Sequence, residues 1–218
     1  MVDPVLSAGD DDYTATPVDG SLGGTLSNIL SNDSVNGTNV ASDGTETTVT
    51  VTADGGLTGV LIADDGTVTV PAGTPADSYT VTYELCLESD PSVCDTADVT
   101  IVVAAATLVA VDDTPAAIDG ALGGSTASVL GNDTLNGAVV DPADVTLTPG
   151  TAPVPATGSI GMDAAGVITV APNTTPGTYS YDYEICEDLN PTNCATATAT
   201  IVVDPVLSAG ADDYTATP

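Results

Sequence analysis

The sequence predicts an all-β chain, built as two tandem β-sandwich modules arranged end to end. Three observations carry that prediction. Residues 19–103 realign on 119–203 at an offset of 100, so one module is present twice. Asp19-Gly20 answers Asp119-Gly120, Gly23-Gly24 answers Gly123-Gly124, and Tyr83-Glu84-Leu85-Cys86 answers Tyr183-Glu184-Ile185-Cys186. No stretch shows the 3.6-residue apolar period of a helix; apolar residues alternate or run together over strand-length segments. Clusters of Gly, Asn, Asp and Pro separate those segments, where positive φ is easiest to supply.

In the first copy, strands are expected over 12–18, 25–30, 46–53, 58–63, 66–70, 78–87 and 94–103. Asn36-Gly37, Asp54-Gly55-Gly56 and Asp65-Gly66 supply turns between them. Seven strands in about 100 residues is the density of a sandwich. Strict alternation on the sixth strand puts Tyr79, Val81, Tyr83 and Leu85 on the core face, and Thr80, Thr82, Glu84 and Cys86 on the other. On the last strand Ala97, Val99, Ile101 and Val103 point inward, which places Cys94 in phase with the outward set. Cys86 with Cys94, and Cys186 with Cys194, should therefore each close a local disulfide on neighbouring strands. A thiolate metal site would need four soft ligands converging from two modules. The loop-entropy model gives roughly 2–3 kcal/mol for so short a loop, and disulfides imply an oxidising, extracellular compartment.

The expected organisation is a linker from a preceding repeat at 1–10, module one at 11–103, a linker at 104–111 and module two at 112–203. Residues 204–218 read as a linker and the first strand of a following repeat, because Val203–Pro218 repeats Val2–Pro17 with Ala211 in place of Asp10. The chain is thus expected to be a window on a longer array. Met1-Val2-Asp3-Pro4 has neither a basic nor an apolar leader region, so an export signal is expected outside this stretch.

Charge excludes whole classes of function. Thirty-one acidic residues stand against no Lys, Arg or His. Nucleic acid is excluded as a partner, because phosphate binding needs cationic side chains. Imidazole catalysis, Schiff-base lysines and His zinc sites are impossible. No apolar run approaches the 18 or so residues of a membrane-spanning helix, so this segment is not expected to insert in a membrane. With 42% hydrophobic residues the chain nonetheless has the material for packed cores.

The Val/Ile-Leu-x-Asn-Asp-x-x-Asn-Gly stretch, the Tyr-x-Ile/Leu-Cys strand and the Cys-x-Thr-Ala final strand resemble the tandem immunoglobulin-like and cadherin-like repeats of very large bacterial surface proteins. The resemblance is greatest to secreted and gliding-motility adhesins of the Bacteroidota. It implies an immunoglobulin-like fold and an extracellular stalk or filament for cell adhesion, whose partners are neighbouring repeats and an unknown surface or glycan receptor. Two departures stand out: the cysteines join the last two strands instead of bridging two sheets, and there is no Trp. The alternatives are a filament subunit assembled by strand donation between chains, and a carbohydrate-binding module.

Three site readings arise. Calcium takes carboxylate and carbonyl oxygens, and Asp pairs open the repeats at Asp11-Asp12, Asp112-Asp113 and Asp212-Asp213. Asn32-Asp33 and Asn132-Asp133 form a second recurring oxygen cluster; in cadherin-like repeats calcium sits near module junctions. Against this, Asp and Asn favour turns for backbone reasons alone, and no 12-residue calcium loop is present. Paired carboxylates such as Glu84 with Asp98, or Glu184 with Asp188, could in principle cleave glycosides. Their places on exposed hairpin faces of a repeated module argue that the chain is not an enzyme. Asp33-Ser34-Val35, Asp95-Thr96-Ala97 and Asp133-Thr134-Leu135 are similar to Bacteroidota O-glycan acceptors, which nominates Ser34, Thr96 and Thr134.

Overall fold

The computed structural model describes residues 4–205, so Asp212-Asp213 and the expected strand of a following repeat lie outside the described residues. The chain divides into two compact units, Met1–Ala106 and Thr107–Pro218.

Unit 1 contains β1 (Leu6–Ser7), β2 (Asp11–Asp12), β3 (Val18–Asp19), β4 (Gly24–Leu26), a 3-10 turn (Ile29–Asn32), β5 (Ser34–Val35), β6 (Thr38–Asn39), β7 (Thr47–Ala53), β8 (Leu61–Ile62), β9 (Val68–Val70), β10 (Asp77–Leu87) and β11 (Asp90–Ala104). Its main sheet has the order β2-β11-β10-β7, with β3 also on β11; β4-β9-β8 and β1-β5-β6 are smaller sheets. The long hairpin β10/β11 is antiparallel, and Tyr83 lies opposite Ala97. β2 and β3 both run parallel to β11.

Unit 2 repeats the plan in β12 (Leu108–Val109), β13 (Ile118–Asp119), β14 (Gly124–Ser128), a 3-10 turn (Val129–Gly131), β15 (Thr134–Leu135), β16 (Ala138–Val139), β17 (Val145–Pro149), β18 (Ile160–Met162), β19 (Val167–Val170), β20 (Gly177–Glu187) and β21 (Cys194–Asp204). β13 is parallel to β21, and the counterpart of β2 is a single parallel bridge from Asp113 to Ala199.

The predicted core faces are the observed ones. Tyr79, Val81, Tyr83, Leu85, Ala97, Val99, Ile101 and Val103 are all buried, as are Tyr181, Tyr183, Ile185, Ala197, Ala199, Ile201 and Val203 in unit 2. Each unit has its own apolar cluster. Burying one such Val, Leu or Ile side chain contributes about 1.5–3 kcal/mol.

Several expected strands are corrected. The stretch 12–18 is not one strand: a turn closed by Thr16 N–H donating to the Tyr13 carbonyl separates β2 from β3. Pro17, which lacks an N–H, sits at that break. The strand expected over 25–30 stops at Leu26, because Asn28 adopts φ 56° and its side chain caps the 3-10 turn by accepting from Leu30 N–H. That turn carries Ile29 and Leu30 into the core with no exposed surface. Asn36 and Gly37 both have positive φ, 53° and 78°, and make a tight β5/β6 hairpin that alternation over so few residues does not announce. Leu6–Ser7 and Leu108–Val109, read from sequence as linker, pair with β5 and β15 and belong to the units that follow them.

Candidate functional site

The feature common to both units is a strap, residues 4–13 in unit 1, that carries β1 and β2 across the β5/β6 hairpin to the edge of β11. Val5 and Asn36 exchange hydrogen bonds: Val5 N–H donates to Asn36 Oδ1 at 3.0 Å, and Asn36 N–H to the Val5 carbonyl at 2.8 Å. Ala8 N–H donates to Asp95 Oδ2 at 2.9 Å and Gly9 N–H to Asp33 Oδ1 at 2.7 Å. Asp98 N–H on β11 donates to Asp10 Oδ1 at 3.0 Å, and Tyr13 N–H donates to the Thr100 carbonyl at 2.9 Å.

At the centre stands the Tyr83 hydroxyl, projecting from β10 between the strap and the 3-10 turn. It lies 3.2 Å from the Gly9 carbonyl, 3.2 Å from Asp11 Oδ2 and 3.4 Å from Asp33 Oδ2. A phenol has one proton to donate, so three acceptors compete for it. Unit 2 reproduces the arrangement: the Tyr183 hydroxyl is 3.2 Å from the Val111 carbonyl, 3.0 Å from Asp113 Oδ2 and 3.2 Å from Asp133 Oδ2. Val111 N–H donates to Asp133 Oδ1 at 2.8 Å. Thr107 and Asn136 repeat the exchange made by Val5 and Asn36.

Asp33 and Asp133 have no exposed surface, and the chain offers no cationic side chain to balance them. Burial pushes the Asp11 carboxyl up to about 7, against the lowering effect of Tyr83 and with help from Asp33 and Asp10. Burial likewise raises Asp33, Asp113 and Asp133 above the usual carboxylate range. Tyr83 and Tyr183 are driven well above an ordinary phenol, first by burial and then by the flanking acids.

The structure realigns the sequence candidates. Asp10 and Asp112 are equivalent, since each accepts the N–H of the same position on the last strand, Asp98 or Thr198. Asp11 and Asp113 are equivalent because each reaches the tyrosine. Asp12 therefore has no counterpart in Asp113: it accepts Thr14 N–H in a turn, which holds its exposed carboxyl below the usual range. Asn32 donates its amide to the Asp10 carbonyl, and Asn132 to those of Val111 and Asp112, so both fasten the strap. Among the described residues no three of these acids converge as metal ligands. The groups that do are Glu84 with Cys86 and Cys94, and Glu184 with Cys186 and Cys194, whose sulfurs are already joined to each other.

The disulfides join Cys86 to Cys94 and Cys186 to Cys194, directly opposite one another on the long hairpins. Of the nominated acceptors, Thr96 is exposed on β11, while Ser34 and Thr134 are half-buried beside the buried aspartates. Asp98 accepts from Thr82 Oγ1 at 2.7 Å and Asp188 from Thr146 Oγ1 at 2.7 Å, so both proposed acid partners are tied to neighbouring strands. Sequence reasoning missed the tyrosine hydroxyls, Asp10 and Glu187. Glu187 is buried at the hairpin tip, held by the Asn190 and Asn193 amides at 2.9 and 2.7 Å, where unit 1 has Leu87. Its inward phase on β20 was the available signal.

No protein-family model and no curated protein matches the sequence. Solved structures of cadherin repeats are similar. Mouse cadherin-23 EC22–24 is 14% identical over 93% of this chain and 65% of that one, at a TM-score of 0.36. Protocadherin gammaB7 EC3–6, solved as a cis-dimer, is 14% identical over 93% of this chain and 48% of that one, at 0.37. Zebrafish RET cadherin-like domains 1–4 are 14% identical over 92% and 51%, at 0.34. The chain thus spans 48–65% of the length of these solved chains. No ligand or partner follows from a likeness of this degree.

Proposed function

We infer that the chain is a load-bearing repeat segment of an extracellular bacterial surface adhesin, part of a stalk or fibre for attachment or gliding. The supporting observation is the parallel pairing of the first strands of each unit with its last. Val18 pairs Val103 and Asp11 pairs Val99 in unit 1; Ile118 pairs Val203 in unit 2. Force applied to the two ends of a unit pulls parallel terminal strands in opposite directions along their axes. Their hydrogen bonds are then loaded together in shear instead of opening one at a time. The tether adds to this clamp, because the Tyr83–Asp11 and Tyr183–Asp113 contacts, with the Gly9 and Val111 N–H bonds to Asp33 and Asp133, fasten the same strap to the body of the unit.

The disulfides support export to an oxidising compartment. The strong negative charge keeps nucleic acid out of the partner list, leaving neighbouring repeats and a surface or glycan receptor. Single-molecule extension of the chain tests the reading. Two unfolding events are expected, each releasing on the order of 300 Å for about 90 residues of unconstrained chain. Val18→Pro, which removes a strand N–H in the clamp, should lower the force of one event. Gradual extension without discrete events would overturn it.

A further inference from the structure

In each unit the strap is anchored on a turn of the same sequence, Val5 on Asn36-Gly37 and Thr107 on Asn136-Gly137. We propose that these two asparagines are self-modifying sites: the nitrogen of the following glycine closes on the side-chain amide, ammonia leaves, and each unit thereby carries a slow chemical release for its own strap. The proposal goes beyond the adhesin reading and does not depend on it.

Both reacting groups are prepared by the fold. Pairing across the turn joins Val35 to Thr38, which leaves the Gly37 N–H outside the ladder. That N–H is exposed and, among the described residues, donates to no backbone carbonyl. Nothing lies within 4 Å of where a Cβ would stand on Gly37 or Gly137, so neither nitrogen is walled off. The electrophile is activated by the strap itself. Asn36 Oδ1 accepts the Val5 N–H at 3.0 Å, and Asn136 Oδ1 accepts the Thr107 N–H at 2.9 Å. Such a donor draws charge from Cγ and stabilises the oxygen as it becomes anionic in the tetrahedral intermediate, as an oxyanion-hole N–H does. Every other asparagine precedes Ile, Asp, Val, Thr, Pro or Cys, where a side chain hinders the nitrogen or, in Pro, the N–H is missing.

The Gly37 nitrogen gives up its proton and bonds to Asn36 Cγ; the Cγ–Nδ2 bond breaks, and Nδ2 leaves with that proton as ammonia. Water then opens the resulting cyclic imide at one of two bonds. Breaking the new Cγ–N bond leaves an aspartate in an unaltered main chain. That product keeps an acceptor for Val5 and tolerates the positive φ of 53° at this position. Breaking the bond between the residue 36 backbone carbon and nitrogen leaves isoaspartate, with one more carbon in the main chain. The turn then no longer spans Val35 to Thr38 in its observed register, and the carbonyl that Val5 used is taken into the chain. The same steps apply to Asn136, Gly137 and Thr107.

The test ages the full chain in mildly alkaline buffer and maps it by mass, with a protease other than trypsin because the chain has no Lys or Arg. Asn36 and Asn136 should lose their amides ahead of every other asparagine, and part of the product should be a substrate for isoaspartyl methyltransferase. Val5→Pro deletes the N–H on Asn36 Oδ1, so loss at Asn36 should slow severalfold while Asn136 keeps the parent rate. In calorimetry the isoaspartate-rich chain should melt lower by roughly 4–8 °C. Asn36→Asp, with the same added charge and an unaltered main chain, should stay close to the parent. Retention of both amides for as long as the other asparagines keep theirs overturns the proposal, and that comparison needs no variant. An unchanged or faster rate at Asn36 in Val5→Pro overturns the role of the strap N–H, and an aged chain that melts like the parent overturns release of the strap.

Discussion

Replacing Tyr83 with Phe removes one hydroxyl and leaves the ring in the core. Three acceptors then lose their shared donor, and Asp33, which has no exposed surface, keeps only the Gly9 N–H. Hydrogen bonds to charged groups contribute about 1.5–3 kcal/mol. For a unit of about 100 residues, 1 kcal/mol moves the midpoint by roughly 4–8 °C, so a loss near 2 kcal/mol lowers the unit 1 transition by about 8–16 °C. The loss should depend on pH. Asp11 holds its proton up to about 7 in the folded state, against 3.8 as its ordinary value. The native state therefore binds more protons than the unfolded chain between those values. That contribution is fully present below the ordinary value and is lost as pH rises through about 7. At pH 5 Asp11 carries its proton and its repulsion of Asp33 is relieved, so the Tyr83→Phe penalty should be smaller there than at pH 8. Calorimetry at both pH values, with unit 2 as the reference in the same chain, measures it. A variant melting within about 2 °C of the parent at both pH values refutes the tether.

Other perturbations follow from single contacts. Thr47 is fully buried, its hydroxyl has no partner, and Val145 occupies its register in unit 2, so Thr47→Val should stabilise unit 1 by about 1 kcal/mol in denaturant titration. Replacing both Cys86 and Cys94 with Ser should cost roughly 2–3 kcal/mol, and non-reducing peptide mapping of the parent should recover only Cys86–Cys94 and Cys186–Cys194. Gly20→Ala should abolish the unit 1 transition, because its Cβ would stand 2.1 Å from the Thr74 carbonyl oxygen. Millimolar calcium tests the recurring oxygen clusters: if Asp11 with Asp33, or Asp113 with Asp133, takes the ion, melting of that unit should rise and chelator should reverse it, and unchanged melting leaves these acids as hydrogen-bonded tethers alone.

What was legible in the sequence follows from period. The long hairpins show ten-residue alternations, and these placed Tyr79, Val81, Tyr83 and Leu85 of β10, the core residues of β11 and both disulfides, though not the buried Leu87 at the end of β10. Short elements carry no period. The two-residue strands at Leu6, Ser34 and Thr38 exist because Asn36 and Gly37 turn the chain and the strap supplies hydrogen bonds from more than 20 residues away. The acids were visible, but their roles were not: three consecutive aspartates, Asp10 to Asp12, look alike until β11 fixes which one meets Asp98 and which meets Tyr83. A tyrosine on the core face likewise reads as apolar filling. Only the fold shows its hydroxyl between two aspartates.

The central claim is that these units supply reach and mechanical continuity. Deleting this pair of units, in frame, from the surface protein proposed to carry it tests that claim most directly, with fibre length measured by electron microscopy and attachment counted on the same cells. If each unit extends by about ten residues of strand, at roughly 3.3 Å per residue, the fibre should shorten by on the order of 70 Å. Attachment should weaken gradually, with no change in what the cells bind. Complete loss of binding with fibre length preserved would place a specific receptor site in this pair and contradict the account.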